Sequence, residues 1–166
     1  MIANLPRPVR DHYLNLEIQG HGPQRHDGEV TMQDLEDRVA KGHDPMTKSP
    51  TDGVTGGTHR SPIYATRFKT PEDFVRAERA VQKDFNFGTK LQEARKKKED
   101  WVTIRIPLPQ ALGPNYLSKV EGVTLIDRND PSKGTRLLNF ANGHVFAKYR
   151  LKSDGTHELI TMYVNP

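Results

Sequence analysis

The chain has 166 residues, 25 Lys and Arg against 21 Asp and Glu, a formal net charge of +4 and no cysteine. Disulfides, Cys-ligated zinc and thiol catalysis are thereby excluded, and the fold must hold by packing alone. With 34% hydrophobic residues and 13 Gly plus 12 Pro, the composition predicts a small core with long loops, and the mild basic excess favours a polyanionic partner without proving one.

No apolar run approaches the ~20 residues of a membrane span, so no membrane partner is expected. The opening MIANLPRPVR lacks the apolar region of a signal peptide and reads as a piece cut from a larger protein with an initiator Met added. We divide the chain into a lead-in over 1–24 and one domain over 25–166. Within the lead-in, HYLNLEI (12–18) alternates, placing Leu14, Leu16 and Ile18 on one face, the period of a half-buried strand.

Arg25-His26 then precedes a predicted helix over 32–41. Thr31 is its N-cap with Asp34 at the third helical position, Met32, Leu35 and Val39 form the stripe, and Gly42 is the stop. Arg38 lies about 60° round from Leu35, bordering the buried side. A titratable imidazole at His26 and a permanent cation at Arg38 suit chemistry on a phosphate. The plainer alternative is a solvated histidine and an arginine whose stem packs on the core.

Residues 42–62 show no periodicity, the mark of a functional or mobile loop. They hold His43 and His59, but no HxH or HExxH spacing occurs among the seven histidines, so no metal site is expected. IYATRF (63–68) reads as a strand. The clearest helix follows, with Thr70 as N-cap, Pro71 in the first position, Phe74, Ala77, Ala80 or Val81 and Phe85 as the stripe, and Gly88 as the break. A second helical segment, 89–98, ends in the basic run RKKKED, read as a solvated helix end. WVTIRIPL (101–108) alternates as a strand, a turn is expected at Gly113-Pro114-Asn115, and another strand near 123–126.

HVFAKYRL and HELITMYV flank SDGT and predict a terminal hairpin. Centring the turn on Asp154-Gly155 sets Thr161 opposite Lys148 and Tyr163 opposite Phe146. Strict alternation then puts Ile160, Met162 and Val164 on the core face. Leu159, Thr161, Tyr163 and, by its even offset, His157 fall on the other, where Lys148 and Arg150 would add cations to a polar groove. A merely solvated sheet face is the alternative.

Three features taken together resemble the bacterial RNase A-like toxin domains of contact-dependent inhibition and Rhs-type polymorphic toxins. They are RH followed by a helix carrying Arg38, the block ATRF-KTPEDFVRAERAV, and the last strand LITMYVNP. The resemblance spans most of 25–166 in short motifs. It implies an α+β, RNase A-like fold, with N-terminal helices, then a twisted antiparallel sheet ending in the hairpin, without disulfides. Carried onto this chain, its functional positions are His26, Arg38, Thr161 and Tyr163. HGPQ at 21–24 also resembles an entry motif of related toxins, so His21 competes with His26, which fits better by its distance to Arg38. The vertebrate enzymes' second histidine has no equivalent at Thr161 or Tyr163.

The implied reaction is metal-independent cleavage of RNA, in which the ribose 2′-hydroxyl attacks the adjacent phosphorus. It needs a base, an acid and positive charge on the transition state. His26 can serve as base or acid, Arg38 can bind phosphate oxygens, Thr161 can position one, and Tyr163 can donate a hydrogen bond or a proton, or stack on a base. Lys148 joins as a phosphate-binding residue from the hairpin pairing. No cofactor is expected. The implied partners are RNA and a cognate immunity protein, acidic if it covers a basic groove. The implied setting is a secreted effector acting in the target-cell cytoplasm. Two rivals are a toxin of another reaction class, such as an NAD-consuming ADP-ribosyltransferase, and a non-enzymatic RNA- or protein-binding module.

Overall fold

The computed structural model describes residues 2–27 and 29–166. Helices α1 (Arg7–Gln19), α2 (Gly22–His26) and α3 (Met32–Lys41) come first. Strand β1 (Ala65–Phe68) leads into α4 (Pro71–Lys83) and α5 (Phe85–Lys96). Then come β2 (Trp101–Pro107), α6 (Leu108–Leu112), β3 (Val120–Leu125), β4 (Thr135–Leu137), β5 (His144–Leu151) and β6 (His157–Asn165). The architecture is α+β with two antiparallel sheets, ordered β1-β3-β4 and β2-β5-β6. They meet where β1 runs beside β6, and the Thr66 hydroxyl donates to the Val164 carbonyl at 2.7 Å.

The main core lies between the inner face of the second sheet and helices α1, α4, α5 and α6. Val102, Ile104, Ile106, Val145, Ala147 and Tyr149 supply the sheet side, and Tyr13, Leu16, Phe74, Val81 and Phe87 the helical side. Glu78, buried on α4, ties three elements together: it is met by His12 Nε2 at 2.8 Å, by the Gln82 amide at 2.8 Å and by the Tyr149 hydroxyl at 3.0 Å. A second, smaller core of Val30, Leu35, Val39, Ala65 and Val123 seats α3 on the first sheet.

Most elements fall where the sequence puts them. The α3 capping box between Thr31 and Asp34 is present on both sides, and Gly42 ends the helix with φ 70°, a left-handed conformation that costs glycine little. Three expectations fail. Residues 12–18 are helical, not a strand. Val9, Tyr13 and Leu16 form a stripe at spacings of four and three, while Leu14 and Ile18 are 41% and 85% exposed. The lead-in region thus contributes α1 to the main core. Second, Gly88 breaks nothing. The break is Asp84, whose extended backbone ends α4 and whose carboxylate caps α5 by accepting from the Phe87 N–H at 3.2 Å. That shift buries Phe87 and leaves Phe85 85% exposed.

Third, the hairpin carries a bulge. Lys148 pairs with Thr161 and Phe146 with Tyr163 as predicted, but the next pair is Tyr149 with Leu159, so Ile160 is an extra residue. The slip puts Leu159, not Ile160, on the core face with Met162 and Val164. It also turns His157 away from Thr161, against the Phe87 and Tyr149 rings and within 2.9 Å of Gln82 Oε1.

Candidate functional site

The bulge has a structural use. The freed Ile160 carbonyl accepts from the His21 N–H at 3.0 Å, which pins the start of α2 against β6. The short helix then delivers His26 to the seam between the sheets. Helix α3, held by its capping box, brings Arg38 to the same place, and β6 adds Thr161 and Tyr163. These four residues, all chosen from the sequence, line one cleft of about 390 Å³ with His21, Arg25, Tyr64 and Thr66.

Among the described residues, four buried side-chain polar atoms have no hydrogen-bond partner. Three of them are His26 Nδ1, Arg38 Nε and Thr161 Oγ1, all on cleft residues. Burying a polar atom unpaired costs about 1–3 kcal/mol. Three such atoms around one cavity mark a place built to bind something polar.

The two arginines there have different jobs. Arg25 is buried, with Nε donating to Asp44 Oδ1 at 3.0 Å and Nη2 lying 2.5 Å from Asp44 Oδ2 and 3.0 Å from Asp52 Oδ2. Asp44 also accepts from the Met46 and Gly53 N–H groups. Burial works to raise the Asp44 pKa, but these bonds outweigh it and hold the carboxyl down to about 2. The 42–62 segment is thus an ordered loop wound around a neutralised guanidinium. Asp44, Asp52 and His59 have ligand-type atoms within 4.8 Å of one another, yet both carboxylates turn to Arg25 and His59 Nδ1 faces the Gly42 carbonyl at 3.1 Å. The cluster is the loop's anchor.

Arg38 has no carboxylate partner among the described residues. Burial and the neighbouring Arg25 push its pKa down to about 10, so it still carries its charge at neutral pH. That charge is the free cation of the cleft.

His26 is 5% exposed, with its ring centroid 5.4 Å from that of Tyr163. Burial, then the Arg38 cation, then His21 depress its pKa well below the ordinary histidine range. The imidazole is neutral at pH 7 and can take a proton. His21 is likewise pushed down to about 4, chiefly by burial and next by Arg25. Burial raises the Tyr163 hydroxyl, with Arg105 and Arg38 opposing, so it remains a donor. The cleft therefore offers a neutral base, an unpaired guanidinium and two hydroxyls around one point. This set can deprotonate a hydroxyl and stabilise an oxyanion.

Lys148 stands outside the cleft. Its ammonium lies 4.5 Å from the centre of the Trp101 ring on the outer face of the second sheet. Sequence reasoning had no signal for Thr66 or Tyr64 as cleft residues, nor for Asp44 and Asp52 as the counterions of Arg25. A buried ion pair between a helix and a loop leaves no periodic trace.

The electrostatics predict a measurable titration. In Arg38→Gln, the His26 pKa followed by NMR will rise toward 6.5 but stay below it, because burial is the larger cause and remains. An unchanged His26 titration would show that the two side chains do not sense one another. No family model, curated protein or solved structure matches the chain.

Proposed function

We propose that this cleft cleaves RNA without a metal ion, as the nuclease domain of an antibacterial polymorphic toxin. The observation that supports the reading is the convergence of His26, Arg38, Thr161 and Tyr163, three of them with unpartnered buried polar atoms. Neutral His26 takes the proton of a ribose 2′-hydroxyl as the 2′-oxygen bonds to phosphorus. The phosphorus–O5′ bond breaks, the departing oxygen takes the proton of the Tyr163 hydroxyl, a 2′,3′-cyclic phosphate remains, and the proton held by His26 returns through solvent to the tyrosinate. Arg38 and the Thr161 hydroxyl hold the non-bridging oxygens as their charge grows. A phosphate bound against Arg38 also cancels much of the cation's effect on His26, so substrate binding makes the base stronger. Because the free His26 pKa is depressed, kcat/KM will hold as pH falls through 6.5 and decline only below it.

In its producer such a domain would be silenced by an immunity protein, and it would act in the cytoplasm of the cell that receives it. The deciding experiment is incubation of total RNA with the purified protein in EDTA, beside His26→Ala and Arg38→Ala. Wild type will leave 2′,3′-cyclic ends, with losses of roughly 10²–10⁴-fold for His26→Ala and 10²–10³-fold for Arg38→Ala. Intact RNA, or folded variants that cut at the wild-type rate, would overturn the assignment. NAD consumption without RNA cleavage would move the protein to the rival reaction class.

A further inference from the structure

The outer face of the second sheet carries a row of aromatic rings and cations that runs straight out of the cleft. Arg105, Phe146 and Tyr163 are directly opposite one another on β2, β5 and β6. The Tyr163 and Phe146 ring centroids are 4.9 Å apart, and the Arg105 guanidinium lies 5.8 Å from the Phe146 centroid. Four residues before Arg105 on β2, beyond the intervening row of Thr103, Lys148 and Thr161, Trp101 is 40% exposed and receives both Lys148 at 4.5 Å and Arg150 at 5.2 Å from its centroid. With strands ~4.8 Å apart, the face extends the site by roughly 10 Å beyond Tyr163. Past Arg105 a groove of about 450 Å³ continues between β2 and α5, with Lys90 on its wall.

None of these three sheet-face cations has a carboxylate partner among the described residues. The acidic side chain opposite Arg150, Glu158, is engaged by Lys152 at 3.0 Å. Lys and Arg packed over rings, without counterions, complement a polyanion that also presents flat apolar surfaces. Single-stranded nucleic acid has both properties: phosphates for the cations and unpaired bases for the rings. A duplex hides its base faces and gains only the charge.

We propose that this face is a track for single-stranded RNA, holding nucleotides next to the scissile phosphate on Trp101 and Phe146 and its phosphates on Arg105, Lys148 and Arg150. It deepens the ribonuclease reading of the cleft and rests on it. The track makes unpaired loops and tails the substrate, and makes cleavage of short RNA poorer than cleavage of longer strands.

Trp101 is the single tryptophan of the chain, which gives the face its own reporter. The probe is hexadeoxythymidylate, which lacks the 2′-hydroxyl and so cannot be cut by the proposed chemistry. It will quench Trp101 fluorescence, and a labelled hexamer followed by anisotropy will bind Trp101→Ala roughly tenfold more weakly or worse. Lys148→Ala and Arg105→Ala will each flatten the dependence of log K on log salt by about 0.7. A duplex of equal length will bind less tightly than the single strand.

An unquenched Trp101, a duplex bound as tightly as the single strand, or variants that bind as wild type would overturn the track. The first of these is also what a face reserved for an acidic protein would give. The two readings fail separately. A Trp101→Ala protein that still cuts long RNA better than short RNA by the wild-type ratio keeps the ribonuclease and loses the track. A protein that binds the hexamer at Trp101 and cuts no RNA keeps the binding face and loses the ribonuclease.

Discussion

Asp44→Ala is expected to lower the stability of the protein by about 3–5 kcal/mol, the usual cost of stranding one partner of a buried ion pair. Asp44 is fully buried and is the bidentate partner of Arg25. With the carboxylate gone, the guanidinium keeps only Asp52, and the Met46 and Gly53 N–H groups lose their acceptor. An unneutralised Arg25 beside Arg38 also raises the repulsion that already depresses the Arg38 pKa. A chemical denaturation curve followed by circular dichroism reads the loss, which corresponds to a fall in Tm of roughly 6–20 °C for a chain of this size. Asp44→Asn keeps an acceptor for the loop N–H groups, so it will fall between alanine and wild type. A Tm within two degrees of wild type for Asp44→Ala would show that the loop does not depend on this anchor.

Gly20→Ala will be nearly as severe, at about 3 kcal/mol, although it adds one methyl group. An added Cβ would sit 2.3 Å from the Ile160 carbonyl oxygen, 2.5 Å from that of Leu159 and 2.7 Å from Ile160 Cα. All three are backbone atoms and cannot swing aside. The φ of Gly20 is −166°, so the constraint is lack of room and not backbone strain. Relief requires α2 to move off β6, which breaks the bond from the His21 N–H to Ile160 and withdraws His26 from the cleft. Activity will therefore fall further than stability alone explains. The check is kcat/KM measured well below the Tm of the variant: a folded Gly20→Ala protein with wild-type kcat/KM would sink the argument.

Much of this was readable from residues alone where local chemistry decides. Helix α3 is framed by a Thr-Asp capping box and a terminal glycine, and the inner face of β2 alternates without interruption. Short apolar runs were the weak place. In HYLNLEI a strand period and a helix period coincide over one or two turns, and burial of Tyr13 against the main core selects the helix. The bulge at Ile160 was invisible because it answers a tertiary demand, the approach of Gly20 to the strand. His26, Arg38, Thr161 and Tyr163 were reached as a set through the resemblance of short motifs in chain order, while the other residues lining the cleft left no such mark. The burial of His26, and the division of labour between Arg25 and Arg38, came only with the fold.

The two cores leave the cleft with walls of unequal strength. Tyr163 and Thr161 stand on a strand welded into the main core, while Arg38 rides on a helix whose apolar seat is the smaller cluster around Leu35 and Val39. Apolar burial sets what a segment costs to detach, so α3 is among the cheapest elements to release from the fold. Mild denaturant or warming will thus free the guanidinium while the sheets are still intact. The protein has a fuse, and it is wired through Arg38, a cleft cation that no carboxylate among the described residues holds.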